Sequence, residues 1–71
     1  MPVEIRATMP GKIIQVSKKA GDKVLEGEEV LVMEAMKMEM PIFAPVDGVI
    51  AVIKVGEGQA VAKDEILVLV E

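Results

Sequence analysis

The chain has 71 residues and a net charge of −4, with no histidine, no cysteine and a single aromatic residue, Phe43. This composition predicts one small domain with an aliphatic core, and it excludes a histidine base, a thiolate nucleophile and the usual zinc ligands. The eight lysines and arginines are scattered, so no basic face for nucleic acid is expected. No apolar run approaches membrane-spanning length. We therefore predict a cytoplasmic protein that is acted upon rather than an enzyme, with no direct membrane contact.

Short strands separated by turns are predicted along the whole chain. Val3 and Ile5 alternate with charged residues, which is typical of a strand with one buried face. Met9-Pro10-Gly11 has turn composition, and Gly11 is expected to supply a positive φ. Strands are expected at 1–8, 12–16, 30–33, 40–43, 49–55 and 66–70, with a brief extended piece and turn at 24–29.

The middle of the chain predicts a hairpin with a lysine at its tip. The run 30–33 is apolar and rich in β-branched residues, which favours a buried strand. The run 40–43 contains Pro41 and is therefore expected at a sheet edge or a bulge. The two strands meet at Met36-Lys37, whereas two-residue hairpin turns favour Asn, Asp and Gly. A turn that departs from this preference indicates a functional position.

An internal repeat appears when the chain is shifted by 37 positions along itself. Of the 28 pairs that this shift makes between 7–34 and 44–71, seven are identical. The identical pairs are Ala7/Ala44, Gly11/Gly48, Ile13/Ile50, Gly21/Gly58, Val24/Val61, Glu28/Glu65 and Glu34/Glu71. Matching glycines predict matching turns, because glycine adopts φ values that other residues resist.

Two copies of one β-motif, each too small to bury its own apolar face, are expected to pair about a pseudo-twofold axis. The predicted fold is all-β, a flattened β-sandwich or barrel. Gly11 and Gly48 are predicted turn formers, and Gly27 aligns with Asp64, a residue type that tolerates a left-handed conformation. This symmetry places both chain termini opposite the Lys37 hairpin.

Lys37 is the conspicuous feature that the repeat does not explain, since the second copy ends before any counterpart. Glu34-Ala35-Met36-Lys37-Met38 resembles the attachment motif of the biotinyl carrier domains of biotin-dependent carboxylases, decarboxylases and transcarboxylases. The resemblance covers nearly the whole chain, because segments 9–12, 20–24 and 44–48 also fall where that family carries its turn motifs.

This resemblance implies a barrel-sandwich hybrid of two four-stranded antiparallel sheets spanning 1–71, with the hairpin tip at 35–38. It implies biotin as a covalent cofactor, joined by an amide to Lys37 by a biotin protein ligase. The biotin then swings to carry a carboxyl group between a biotin carboxylase and a carboxyltransferase or decarboxylase. Residues flanking the lysine are expected to be recognised by the ligase or another partner; they are Glu34, Ala35, Met36, Met38 and Glu39.

The roles of these flanking residues are open at the level of sequence. Met36 and Met38 offer adaptable docking contacts or pack onto the base of the hairpin. Glu34 and Glu39 steer the ligase electrostatically or keep the tip soluble. By contrast, Met33 and Met40 are expected to fill the core.

Two other functions fit the same fold. A lipoyl carrier shares the hairpin and the modified lysine, but that family usually has Asp-Lys-Ala at the tip, where this chain has Met36-Lys37-Met38. An unmodified hairpin domain of the kind found in membrane-fusion adaptor proteins has the repeat without needing the lysine. Segment 17–20 leads directly to Gly21 and leaves no room for the protruding thumb of some acetyl-CoA carboxylase carriers. The chain therefore looks more like the thumbless carriers, among them those of propionyl-CoA and pyruvate carboxylases.

Overall fold

Eight β-strands make up residues 2–71, the part of the chain that the computed structural model describes. They are β1 (Val3–Arg6), β2 (Gly11–Val16), β3 (Lys23–Val24), β4 (Glu29–Ala35), β5 (Met38–Phe43), β6 (Gly48–Ile53), β7 (Ala60–Val61) and β8 (Ile66–Val70). Within these residues there is no helix with the length and apolarity needed to cross a membrane. The first predicted strand narrows to β1, and Met1 lies outside the described residues.

The strands form two four-stranded antiparallel sheets, ordered β1-β8-β6-β3 and β5-β4-β2-β7. Each sheet contains strands from both halves of the chain, because β3 pairs with β6 and β2 pairs with β7. Both sheets have open edges, so the molecule is a flattened sandwich rather than a closed barrel. The all-β fold predicted from the sequence is confirmed, and β5, which contains Pro41, is an edge strand as predicted.

In the structure, a pseudo-twofold axis relates the two copies of the internal repeat. Adding 37 to the residue numbers of β2 gives β6, and the two strands have the same pattern of buried and exposed positions. The Ala7 N–H donates to the Glu65 carbonyl at 3.0 Å, and the Ala44 N–H donates to the Glu28 carbonyl at 2.9 Å. The same operation converts the strand order of one sheet into that of the other.

The core between the sheets is aliphatic, and no charged or polar residue of 2–71 is buried. The largest fully buried side chains come from both repeats; they are Ile13, Leu31, Met33, Ile50, Leu67, Val24, Val30, Val68 and Val70. Burying a side chain of this size is worth about 1.5–3 kcal/mol. Met33 lies in the core as predicted, whereas Met40 is only partly buried against it.

Gly11 and Gly48 are required for close packing, and the predicted turn role is wrong for both. Positive φ values occur at Gly21, Gly27 and Gly58 but not at these two positions. A Cβ on Gly11 would lie 2.5 Å from the Glu34 carbonyl oxygen, and one on Gly48 would collide in the same way with the carbonyl of Glu71. Glycine is therefore needed because a neighbouring backbone approaches closely, a requirement that the turn-like sequence around Gly11 conceals.

Asp64 takes the left-handed conformation that its alignment with Gly27 predicts. Its φ is 69°, against 86° for Gly27. Asp is one of the few non-glycine residues that visit this region readily. The two equivalent turns therefore keep the same backbone shape with different residues.

The start of β1 and the end of β8 lie at one end of a molecule that measures 31 × 18 × 17 Å, and the β4–β5 hairpin lies at the other end. Val3 pairs with Val70 near the chain ends. Segment 7–10 then carries the chain from the far end of β1 to the start of β2, where Lys12 pairs with Glu34 just before the hairpin tip. The tip therefore projects away from the end of the molecule where β1 starts and β8 ends.

Candidate functional site

A two-residue turn forms the tip of the β4–β5 hairpin. Ala35 pairs with Met38, and Met36 and Lys37 lie between them. Their φ values are 52° and 63°, so both adopt the left-handed conformation of a type I′ turn. This conformation costs an L-residue with a side chain about 1–2 kcal/mol. The backbone at the tip therefore carries a cost in stability that Asn, Asp or Gly at these two positions would reduce.

The neck of the hairpin is held by buried side chains of β4. Met33 has no exposed surface, and Ala35 is 4% exposed. Together with Leu31 they follow the period-two alternation of a strand with one face in the core. Because the neck is anchored in this way, the strained tip projects from a fixed base.

Lys37 is exposed, and its ammonium group has no partner among residues 2–71. The two ion pairs in this part of the chain are Arg6 with Glu4 and Lys18 with Glu28. None of the side-chain hydrogen bonds in the described residues involves Lys37. The amine is therefore presented to the solvent without a polar contact to the part of the chain that the structure describes.

The two methionines beside Lys37 are exposed. The exposed fraction is 84% for Met36 and 66% for Met38, against 0% for Met33 in the same hairpin. Methionine is flexible and polarisable, and it makes adaptable contacts at recognition surfaces. The exposure does not fit packing onto the base of the hairpin and leaves both thioethers available to a partner.

Two carboxylates lie below the lysine, one on each strand. Glu34 and Glu39 pair directly across the hairpin, and both are exposed. Like charges at directly opposite positions destabilise an antiparallel pair. Neither carboxylate forms an ion pair with Lys37. The hairpin therefore presents the positive charge of Lys37 at its tip and the negative charges of Glu34 and Glu39 below it.

Among the sequence-predicted recognition residues, Ala35 is the one whose side chain is not at the surface. Its methyl group packs in the neck, so it supports the tip and does not offer a contact surface of its own. The sequence pattern that indicates burial of Ala35 is the period-two alternation that it continues from Leu31 and Met33. The other four flanking residues are exposed on the same hairpin, at Glu34, Met36, Met38 and Glu39.

The β2–β3 connection is short, as the sequence predicted. It covers six residues, Ser17 to Asp22, and is closed by the Lys19 N–H donating to the Asp22 carboxylate at 2.9 Å. No protruding thumb can be formed from a turn of this size. The β2–β3 loop therefore does not project alongside the tip of the hairpin.

A shallow groove of about 410 Å³ runs along the open edge between β1 and β5. One wall is polar and includes Glu4 and Arg6, while the other is apolar and includes Pro41 and Phe43. Lys37 does not line it. Residues 2–71 also lack a cluster of three or more acidic side chains able to hold a metal ion.

The fold and the tip together define a small carrier domain, a β-sandwich that displays one lysine on a hairpin. Residues 3–70 match the family model described as "Biotin-requiring enzyme", and the chain belongs to this biotin/lipoyl attachment family. Within the family it is a biotinyl domain, and its class of function is that of a biotin carrier.

Three similar proteins illustrate the family. Pyruvate carboxylase of Staphylococcus aureus is 40% identical over 70 residues, which is 99% of this chain and 6% of that protein. The biotin/lipoyl attachment protein of Bacillus subtilis is 41% identical over 59 residues, which is 83% of this chain and 81% of that protein. The solved structure of a single-chain, multi-domain long-chain acyl-CoA carboxylase superposes with a TM-score of 0.88 at 28% identity, covering 96% of this chain and 7% of that one. The chain thus spans about 6% of the length of the pyruvate carboxylases it matches.

Proposed function

We propose that Lys37 is the attachment site for biotin and that this domain serves as the carboxyl carrier of a biotin-dependent carboxylase or decarboxylase. The observation that carries the proposal is the unpaired, exposed Lys37 amine on a strained tip in a chain of the biotin/lipoyl attachment family. When attached, biotin supplies the group that holds a carboxyl unit in transit between two active sites.

The residues of the chain explain how one lysine is selected for acylation. The turn at Met36 and Lys37 fixes where the lysine leaves the backbone, and its four methylene groups give the amine reach. Acylation joins Nζ to the biotin carboxyl carbon as an amide, the leaving group of the activated acyl donor departs, and the amine loses a proton. The product has one positive charge fewer, so the tip is left with only the negative charges of Glu34 and Glu39.

Recognition by the ligase is proposed to use the exposed hairpin residues. Met36 and Met38 would supply apolar contacts on either side of the lysine, which their exposure supports. Glu34 and Glu39 would set the charge that the partner reads. Ala35 would act from within the neck, because its side chain is buried there, as is that of Met33.

The proposed partners are a biotin protein ligase, a biotin carboxylase, and a carboxyltransferase or decarboxylase. The similarity to one small part of pyruvate carboxylase and of a multi-domain acyl-CoA carboxylase supports this assignment. The placement of the termini opposite the tip suits a tethered carrier, since a tether raises the effective concentration of the tip at each active site. In this proposal the domain itself is non-catalytic; its cytoplasmic location stays a prediction.

The test is intact-mass measurement of the domain after incubation with biotin, ATP and a purified biotin protein ligase. We expect the mass of one biotinyl group to be added, and we expect Lys37→Arg to abolish the addition. Lys12→Arg is the matched control, because Lys12 is exposed and pairs with Glu34 beside the tip. Acylation that persists in Lys37→Arg would overturn the assignment. Addition of lipoate by a lipoate ligase would instead indicate a lipoyl carrier, and no addition by either ligase would indicate an unmodified hairpin module.

A further inference from the structure

We propose that Met36 and Met38 form an oxidation site that controls acylation of Lys37. Conversion of their thioethers to sulfoxides is inferred to stop recognition of the hairpin by the ligase. The inference rests on the proposed function, because it concerns regulation of the same lysine.

The exposed thioethers of residues 2–71 are concentrated at the tip. Met36 and Met38 are 84% and 66% exposed, whereas Met33 is fully buried. Met9 and Met40 are partly buried against the core. The chain has no cysteine, so no thiol competes for an oxidant. Among residues 2–71, a peroxide in solution therefore meets the most exposed methionines at the two positions that flank the proposed attachment site.

The chemistry requires only a peroxide as co-reactant. One oxygen atom is transferred to each sulfur, which is oxidised from thioether to sulfoxide, and the O–O bond of the peroxide breaks. Hydrogen peroxide is reduced to water in the process. Methionine sulfoxide reductases reverse the change, so the modification can act as a switch as well as a lesion.

Oxidation would change recognition without unfolding the domain. A sulfoxide is polar and chiral, and burying such a group against an apolar partner surface without a hydrogen bond is unfavourable. The sulfur atoms of Met36 and Met38 are outside the core, so the packing of Met33 and its neighbours does not depend on them. This separation distinguishes a recognition switch from general oxidative damage, which would also lower the thermal stability.

The experiment uses the unacylated domain treated with limiting hydrogen peroxide. Peptide mapping is expected to find one added oxygen on Met36 and one on Met38 before any on Met33. We expect kcat/KM for acylation by a biotin protein ligase to fall about tenfold or more in the doubly oxidised domain. The melting temperature should be unchanged, and treatment with the two stereospecific methionine sulfoxide reductases should restore the rate.

A Met36→Leu/Met38→Leu double variant shows whether these two sulfur atoms carry the effect. Peroxide should leave the acylation rate of the double variant unchanged, whatever that rate is before treatment. The Met36→Leu and Met38→Leu single variants should show how much of the loss each position causes. An undiminished rate for the doubly oxidised domain would overturn this inference alone. The inference would also be overturned if the acylation rate fell only after Met33 was oxidised, or only together with a lower melting temperature. Failure of the untreated domain to be acylated would overturn the proposed function and this inference together.

Discussion

Gly11 lies so close to Glu34 that a Cβ on the glycine would stand 2.5 Å from the glutamate carbonyl oxygen. This contact joins β2 to β4 within the neck of the hairpin, between the buried residues Met33 and Ala35. The same relationship recurs between Gly48 and Glu71, at the other end of the pseudo-twofold. A glycine that reads as part of a turn in the sequence is therefore a packing element beneath the functional tip.

Substitution of Gly11 by alanine is expected to destabilise the domain by about 1–3 kcal/mol, because either β4 or the side chain of Met33 must move. For a domain of this size, each kcal/mol lowers the melting temperature by about 4–8 °C. Thermal unfolding measures the effect. Gly56→Ala is the control, since a Cβ there meets open space and the residue has no positive φ. Equal stability of the two variants would contradict the packing role.

The strained tip predicts a variant that gains stability and loses function. Asparagine tolerates the left-handed conformation of Met36, so Met36→Asn should raise the unfolding free energy by about 0.5–1 kcal/mol. The same change removes an exposed thioether, so acylation of Lys37 should slow. Met38→Asn is the matched control, because Met38 belongs to β5 and its φ is not positive; it should slow acylation without a gain in stability. A less stable Met36→Asn domain would show that the tip stores no strain.

The sequence predicted the hairpin, its lysine and the repeat because these depend on local patterns and on self-similarity. It placed Met33 in the core for the same reason. It did not place Gly11 correctly, since the carbonyl of Glu34 approaches it from a strand that is distant in sequence. It also assigned no strand to β7, whose two residues are too few to show any periodicity. The sequence therefore left undetermined a contact between distant strands and an element too short to show a pattern.

The salt dependence of acylation distinguishes two roles for Glu34 and Glu39, which either steer a partner electrostatically or only keep the hairpin soluble. If they steer, Glu39→Gln should reduce the association rate with the ligase at low salt, and the difference should shrink at high salt because exposed charges are screened. It should also relieve repulsion across the hairpin and so leave the domain equally stable or slightly more stable. The measurement is acylation rate as a function of salt, with Glu57→Gln, an exposed acid on a loop, as control. Identical salt dependence in both variants would leave solubility as the role of these carboxylates.

The turn at Glu28 predicts a specific pH dependence of stability. The Lys18 ammonium donates to the Glu28 carboxylate at 2.6 Å, and the Leu25 N–H donates to it at 3.0 Å. These two interactions, the first being the larger, lower the pKa of Glu28 below its usual range. A carboxyl whose pKa is lowered by folding stabilises the domain above its unfolded-state pKa, and this contribution disappears as the pH falls through the folded-state value.

Glu28→Gln should therefore lower the melting temperature at pH 7, and the difference from the wild type should narrow as the pH is lowered below about 4. Glu65→Gln is the matched control. Glu65 accepts from the Ala62 N–H at 2.9 Å in the equivalent turn, but the repeat places Val55 where Lys18 would be, so no ion pair is lost. We expect this control to lower the melting temperature less at pH 7. A difference between Glu28→Gln and the wild type that stayed constant from pH 7 to pH 3 would show that the Lys18 pair contributes nothing through the ionised carboxylate.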